Sequence, residues 1–256
     1  MFKDDVLARL HLGAILPLLQ DIVGFDESAR NLVKDWNLAI QFQLPGGDPA
    51  TVLIFENGQL KTQNRNYSGS KVTLSFRDSQ FLNDVFQGRT QKQPSPNVNA
   101  IFHLKELKKI DKLLAFLEYY LKPDDTILKN PEIRTFCIMI NLYALAFSIK
   151  QIGENDPEMI PVAHHLPDGI VEFSVVNGPS VHIKVDEGHF EVERGPAPYA
   201  NAVLEIKDMD TAWAMIQGNL NMFAAVGNCD LRLKGYIPLL DGINPLIDRM
   251  PFYLGS

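Results

Sequence analysis

The chain has 256 residues, of which 46% are hydrophobic and 21% are charged, and its formal net charge is −7. This composition is that of a globular protein, and the length allows two compact domains. The acidic balance argues against a nucleic-acid partner, and the absence of any run of five or more basic residues indicates no obvious patch for an anionic membrane.

The N-terminal segment carries an apolar stretch, Leu12 to Leu19, behind charged residues that include Asp4 and Arg9. No small-residue cleavage site follows it cleanly, so the pattern is not that of a signal peptide. The two cysteines, Cys137 and Cys229, form no CxxC motif and are expected to be reduced, structural thiols. These features predict a cytoplasmic protein.

The first half of the chain has the signals of a small sheet followed by a helix. Asn57-Gly58 predicts a hairpin turn, because both central positions of such a turn must tolerate a positive φ. Asp78 then begins a two-turn helix that ends before Gly88, as an N-cap and a C′ glycine indicate. A final strand is predicted from Ala100 to Leu104.

Between the two halves lies a segment without a charged residue, Thr135 to Ile149. It is shorter than the roughly 20 residues that cross the hydrocarbon of a bilayer. A helix that is apolar on every side is typical of a buried position, and Pro131 suits its first turn. We expect this helix to fill the space between two domains; a membrane element is the alternative. The expected domains are residues 1–125, a linker helix region 126–160 and residues 161–256.

The second half shows the alternation of apolar and polar residues that predicts strands. Asp208 begins a short helix, and Gly218 ends it. Both halves therefore contain four strands, a helix and a fifth strand. The fold class predicted is α+β, with two five-stranded, mainly antiparallel sheets that are each covered on one face by helices. The predicted strands of the second half are Ile170 to Val176, Val181 to Val185, His189 to Glu193, Ala202 to Lys207 and Cys229 to Leu233.

The second half repeats the first in one fixed register. No gap is needed across residues 51–88 and 181–218, and every match keeps the same offset. A repeat as long as a domain indicates an old duplication of a whole domain and not a solenoid. The identical pairs are Gly58 with Gly188, Leu74 with Leu204, Asp78 with Asp208, Gln87 with Gln217 and Gly88 with Gly218.

The two copies differ after this helix. The second copy has no charged residue from Thr211 to Gly227, whereas the first has Asp84, Arg89 and Lys92 in the matching stretch, and two prolines break its second helix. An uncharged pair of short helices is typical of a packed core and also of the wall of a cavity for an apolar ligand. Periodicity does not separate these two interpretations.

No catalytic motif accompanies the uncharged stretch. The sequence has no GxSxG, GxxxxGK[ST], GxGxxG or HExxH pattern. His164-His165 has no third ligand at metal spacing, and capping of a helix explains Asp208 and Asp210. We therefore expect no catalytic residue, no metal and no cofactor. An enzyme whose site is assembled from distant residues is the alternative that stays open.

The second copy has a turn at Asp186–Gly188, a strand that runs into Asp208 and its helix, a helix break at Gly218 and a strand that ends at Gly235. In this order, over DEGHFEVERGPAPYANAVLEIKDMDTAWAMIQGNLNMFAAVGNCDLRLKG, these features resemble the sterol carrier protein 2 family of lipid-binding domains. The first copy is similar to the family over VLIFENGQL and VTLSFRDSQFLNDVFQG. The resemblance covers most of residues 32–121 and 165–254 and implies two fused copies.

The resemblance implies an apolar tunnel between sheet and helices that holds a fatty acyl chain, acyl-CoA or a sterol without chemistry. The first copy departs from the family around residues 91–97, where the second helix should cover the tunnel, so we expect the ligand in the second copy. The expected ligand-binding residues are Phe173, Ile183 and Phe190 on the sheet and Trp213, Ile216, Leu220, Met222 and Phe223 on the helical lid.

The function expected from these features is non-catalytic binding and intracellular transfer of an apolar ligand, with no nucleic-acid partner and no integral membrane span. An interaction module is the alternative. In that case the same apolar helical faces would serve a homodimer or a partner enzyme, and no lipid would bind.

Overall fold

The computed structural model describes residues 2–255, which fold into two compact units, one ending at Tyr120 and the other beginning at Leu121. The helices and strands of the first unit are α1 Phe2–Leu10, α2 Leu19–Phe25, α3 Glu27–Val33, β1 Leu38–Gln43, β2 Ala50–Glu56, β3 Gln59–Gln63, β4 Val72–Ser75, α4 Ser79–Phe86, β5 Ser95–Pro96 and α5 Leu104–Leu121. Those of the second are α6 Pro131–Asn155, α7 Ile160–His164, β6 Gly169–Val175, β7 Ser180–Asp186, β8 His189–Arg194, β9 Ala202–Ile206, α8 Met209–Ile216, α9 Met222–Gly227, β10 Leu231–Gly235, α10 Ile237–Asp248 and α11 Met250–Leu254.

Each unit contains a five-stranded sheet, and the two sheets have the same strand order. The orders are β3-β2-β1-β4-β5 and β10-β9-β6-β7-β8. The predicted α+β class and the predicted strand number are confirmed. Each sheet is mixed, because its first and fourth strands pair in parallel while the other pairs are antiparallel. A parallel pair requires a crossover connection, which a chain of simple hairpins does not supply.

The predicted duplication is visible in matching details of the two units. Asp78 and Asp208 each accept a hydrogen bond from the backbone N–H three residues later, at 2.7 and 2.8 Å, and so cap α4 and α8. Gly58 and Gly188 each have a positive φ at the β2–β3 and β7–β8 turns. These repeated contacts show that the register of the sequence repeat is also a structural register.

A proline interrupts the first helical segment of the first unit. A π-helical turn, His11–Ile15, and a 3₁₀ turn that contains Pro17 replace the regular helix there, because proline cannot donate a backbone hydrogen bond. The side chain of Asn64 donates to the Gly13 carbonyl that Pro17 leaves without its helical partner, at 2.9 Å. In the second unit α6 continues without a break for 25 residues.

The predicted uncharged helix is present as α6, which begins at Pro131 with Asn130 as its N-cap. It packs on β7 and β8 within the second unit. By length and composition alone, Pro131–Asn155 and the helical segment Phe2–Phe25 could each cross a membrane. Their apolar windows are 72% and 78% buried within the protein, and the core helix of a soluble protein passes the same test. Both are therefore weak indications of a membrane span.

Two predicted strands have different bounds in the structure. The fifth strand of the first sheet is Ser95–Pro96, and the predicted strand Ala100 to Leu104 is wrong, because Val98–His103 forms a 3₁₀ segment. Pro96 is tolerated because it lies on the edge strand. The last strand begins at Leu231, since Cys229 has a φ of 61° and cannot continue a strand.

Candidate ligand-binding site

The candidate site lies on the apolar face of the second sheet. The strand register places Leu233, Leu204, Phe173 and Val181 in one row across β10, β9, β6 and β7. Leu204, Phe173 and Val181 are buried, whereas Leu233 at the edge strand is exposed. The apolar face is therefore covered in its middle and accessible to solvent at β10.

Helix α8 contacts β9 at this open side of the sheet. The backbone N–H of Thr211 donates to Asp208, and this bond holds the pKa of the Asp208 carboxyl below its ordinary value. Among the residues of α8 only Ala212 is buried, while Trp213 and Ile216 are half-buried. Helix α8 is thus fixed at its start but covers its apolar side chains only in part.

Helix α9 leaves most of its apolar residues in solvent. Asn221 caps the helix, and its only buried residue is Ala225. Met222 and Val226 are exposed, and Phe223 is 94% exposed. The contact of α9 with β10 is therefore narrow, and an apolar surface next to the candidate site faces water.

The three predicted sheet residues, Phe173, Ile183 and Phe190, are all buried on the apolar face. Phe190 lies under α6, where a Cβ on Gly153 would meet its ring at 2.5 Å. Phe173 pairs with Leu204 of β9, the strand that α8 contacts. The sheet residues thus divide between the α6 side and the α8 side of the same face.

The five predicted lid residues become more exposed along the chain. Trp213, Ile216 and Leu220 are half-buried, and Met222 and Phe223 are exposed. The first three lie on α8 and on the turn after it, and the last two begin α9. Their role in holding a ligand stays a prediction.

The first unit fills the corresponding space with aromatic rings. The ring of Phe86 on α4 stacks on His11 at 5.1 Å and lies 6.4 Å from Phe42 and 6.2 Å from Phe76, measured between centroids. Phe76 and Phe81 are a further 6.0 Å pair. These five residues, which we call the aromatic plug, join β1, α4 and the first helical segment of the unit.

The second unit keeps only one of the four phenylalanines of the plug. Phe173 matches Phe42, because each pairs in register with the matching leucine of the parallel strand. Ile206, Thr211 and Ile216 match the other three in the register of the repeat. The plug joins residues that are far apart in sequence, so local patterns did not reveal it. The signal in the sequence was that phenylalanines of the first copy align with isoleucines of the second, as Phe76 does with Ile206 and Phe86 with Ile216.

The histidines form no metal site. Burial lowers the pKa of His11 to about 4, and the charge of Arg89 adds to this effect. His164 and His165 are exposed, and Nδ1 of His165 lies 2.6 Å from the Pro161 carbonyl oxygen. Across residues 2–255 no group of three or more His, Cys, Asp or Glu side chains could hold a metal ion.

A cleft of about 490 Å³ lies in the first unit beside the start of α4, and the sequence did not predict it. Charged groups dominate its wall, which makes it unsuited to an apolar chain. Its lining residues are Asp4, Asp5, Leu44, Pro45, Asp48, Arg77, Asp78, Ser79 and Gln80.

A tyrosine–aspartate bond near the end of each unit ties its last helices to the start of the fold. The hydroxyl of Tyr120 donates to Asp26, and that of Tyr253 donates to Asp156, both at 2.6 Å. Asp156 is fully buried and also accepts from Nε of Arg249 at 2.7 Å. Burial alone would raise the pKa of Asp156, but the bonds from Tyr253 and Arg249 outweigh it and hold that pKa below its ordinary value.

Neither a protein-family model nor a curated protein matches this chain. A sterol carrier protein domain 2 of Helicoverpa armigera is 20% identical over 45% of this chain and 92% of its own, with a TM-score of 0.35. The two copies resemble sterol carrier protein 2 domains. The UbiJ-SCP2 ubiquinone synthesis protein is 14% identical over 43% and 91% of the two chains (TM-score 0.34), and sterol carrier protein 2 of Yarrowia lipolytica is 18% identical over 40% and 92% (TM-score 0.30). The likeness is one of fold, and each of these three matches spans less than half of this chain.

Proposed function

We propose that the second sterol-carrier-like unit binds an apolar ligand, of the fatty acyl, acyl-CoA or sterol-like class, between its sheet and helices α8 and α9. The observation that carries this proposal is the loss of the aromatic plug. Ile206, Thr211 and Ile216 occupy the positions of three phenylalanines in the first unit, and Thr211 is half-buried where the matching Phe81 is buried. We infer that these smaller side chains, under a helix that is not fully packed, would let an apolar chain enter.

The walls of this space favour apolar contact over charge recognition. Phe173, Ile183 and Phe190 would form its sheet side, and no charged residue occurs from Thr211 to Gly227 on its helical side. Ten buried methylenes would contribute a gross ~8 kcal/mol, part of which ordering of the chain and lid offsets. Affinity is therefore expected to follow the length of the apolar chain more than its head group.

In this proposal the protein performs no chemistry on its ligand and carries or stores it in the cytoplasm. The first unit, with its plug in place, is a structural copy. An uncharged site suits a carrier, because a bound lipid gains apolar contact there and meets no charged side chain from Thr211 to Gly227.

The proposal is tested by native mass spectrometry of freshly purified protein, followed by solvent extraction and identification of what co-purifies. We expect apolar molecules at no more than one per chain, and we expect Trp213→Glu to lose them. A chain that carries nothing and takes up no palmitate or cholesterol when these are supplied would contradict the proposal.

A fluorescence titration gives a second readout, because the chain has two tryptophans, Trp36 and Trp213. Trp36 is buried in the first unit against Phe55. In Trp36→Phe protein the emission of Trp213 should shift as palmitate is added. In Trp213→Phe protein the emission of Trp36 should stay constant, which serves as the matched control.

A second candidate function is an interaction module, and the exposure of α9 favours it. Met222, Phe223 and Val226 present an apolar surface that a homodimer or a partner protein could cover. Under this alternative Phe223→Glu turns a dimer or a complex into a monomer that binds no lipid. Under the lipid-binding proposal the native protein carries ligand as a monomer.

A further inference from the structure

The first unit exposes four large apolar side chains in one short stretch. Val98, Ile101 and Phe102 belong to the 3₁₀ segment Val98–His103 and are 79%, 65% and 83% exposed. Leu104, which begins α5, is 52% exposed. Single exposed apolar residues are ordinary on a protein surface, whereas a contiguous group marks a contact surface.

The segment that carries these side chains is fixed to the sheet. Its residue Ala100 is buried, and the backbone N–H of Asn97, just before it, donates to the Thr73 carbonyl of β4 at 3.0 Å. The apolar side chains therefore project from an anchored turn and not from a loose loop.

A stripe of lysines follows this segment on α5. Lys105, Lys108, Lys109 and Lys112 have the i, i+3, i+4 and i+7 spacing that places side chains on one face of a helix. All four are exposed, and within residues 2–255 none of them is paired with a carboxylate. The lysines do not form an unbroken basic run, so only the helix brings them together. The buried residues of α5 lie on a different face and are Ile110, Leu113, Leu117 and Tyr120.

We propose that residues 98–112 dock the protein on the surface of an anionic phospholipid bilayer. Val98, Ile101, Phe102 and Leu104 would enter the interface, and the lysine stripe would lie against the head groups. Exposed apolar side chains beside lysines on one helical face are the combination that binds such surfaces.

Charge favours a bilayer over a second copy of this chain. A two-fold dimer through the same face would bring one lysine stripe near the other, and like charges repel. The chain as a whole has a net charge of −7, so a cationic stripe is a local departure that orients the protein on a negative surface. This inference goes beyond the proposed function and does not depend on ligand binding by the second unit.

The test is flotation of the full chain with vesicles of phosphatidylcholine alone and with vesicles of phosphatidylcholine and phosphatidylserine in equal parts. We expect flotation with the anionic vesicles only, and we expect salt to weaken it because salt screens surface charge. Replacing the four stripe lysines by glutamine should lower the partition coefficient on anionic vesicles about a thousandfold, and Phe102→Ser should lower it about tenfold.

A matched control has the same change of charge elsewhere on the first unit. Lys34, Lys61, Arg65 and Lys92 are also exposed, and replacing these four by glutamine should leave most of the binding in place. Absence of flotation with anionic vesicles, or equal loss in both quadruple variants, would overturn the proposal. So would a dimer that Phe102→Ser dissociates without any vesicle binding, since the face would then belong to a second copy.

Ligand binding is measured separately. The palmitate titration of Trp36→Phe protein uses no vesicles and reports only Trp213. Replacing the stripe lysines should leave this titration unchanged. Failure of flotation with a normal titration would reject the docking surface alone, and a flat titration with normal flotation would reject the ligand site alone.

Discussion

The two units have the same backbone fold and differ in the side chains packed between sheet and helix. Both have a first strand between a parallel and an antiparallel neighbour, and both have an aspartate at the start of the helix after the fourth strand. The first unit packs its α4 with rings, so that Phe81, Leu82 and Asn83 are buried, whereas in α8 only Ala212 is. Duplication thus preserved the backbone and changed the volume of the side chains between sheet and helix.

The difference shows how one fold can be a packed core in one copy and a candidate binding space in the other. Backbone caps and turns depend on a few residues that both copies retain. Close packing depends on the volume of every side chain in the layer, so a few exchanges of phenylalanine for smaller residues alter it without altering the sheet.

The largest expected effect compares the two tyrosine–aspartate bonds. Asp156→Ala leaves Arg249 and the Tyr253 hydroxyl without their buried partner and should destabilise the second unit by about 3–5 kcal/mol. Asp26→Ala removes a helix cap and one tyrosine bond, with no arginine, and should cost the first unit about 2 kcal/mol. Urea unfolding in single-tryptophan proteins measures both units, and equal losses would contradict this ranking.

Removing one ring of the aromatic plug tests how much the plug stabilises the first unit. Phe86→Ile removes a ring that contacts His11, Phe42 and Phe76 and should lower the free energy of unfolding by about 2 kcal/mol. Ile216→Val, at the matching position in the second unit, is the control and should cost less than about 1 kcal/mol, since it removes only one methylene from a half-buried side chain. A first unit that loses no stability would show that the rings do not support it.

A larger side chain at position 216 should block the proposed ligand space of the second unit. Ile216→Phe introduces the ring that the first unit has at Phe86 and should raise the Kd for palmitate at least about tenfold, or about 1.4 kcal/mol. Gln217→Phe adds the same ring one position on, where the side chain is exposed, and should leave the Kd unchanged. An unchanged Kd for Ile216→Phe in the Trp213 titration would place the ligand elsewhere.

Two glycines with positive φ in the second unit can be compared, Gly188 in the β7–β8 turn and Gly218 after α8. A Cβ on Gly188 would lie 3.0 Å from Cα of His164, whereas one on Gly218 would meet nothing within 4 Å. Gly218→Ala should therefore cost about 1 kcal/mol for backbone strain alone. Gly188→Ala should cost more, and thermal unfolding that ranks the two variants the other way would contradict the close approach.

Acid should weaken the second unit through Asp156. The pKa of this carboxyl is lower in the folded unit than in the unfolded chain, so its contribution to stability is fully present above the unfolded value of about 4. The contribution is lost as the pH falls through the folded pKa. Urea midpoints measured between neutral and acid pH should show this loss, and Asp156→Asn should remove that part of the pH dependence.

Much of the local structure followed from single residues. Asp208 and Gly218 marked the bounds of α8, Asn57-Gly58 marked a turn, and Pro131 marked the start of α6. Ala100 to Leu104 was predicted wrongly as a strand, because its apolar residues suggest burial that only the tertiary structure could test. They lie instead on an exposed 3₁₀ segment.

The sequence by itself determined the duplication, the number of strands and the ends of α4 and α8, because these depend on periodic patterns and on residues that prefer one backbone conformation. The parallel pair at the centre of each sheet, the aromatic plug and the lysine stripe beside exposed Phe102 were decided only by the tertiary structure. Each of these depends on which side chains the folded chain brings together, and on the volume or charge they share there. The separation of two residues along the sequence gives little indication of whether the folded chain brings them together.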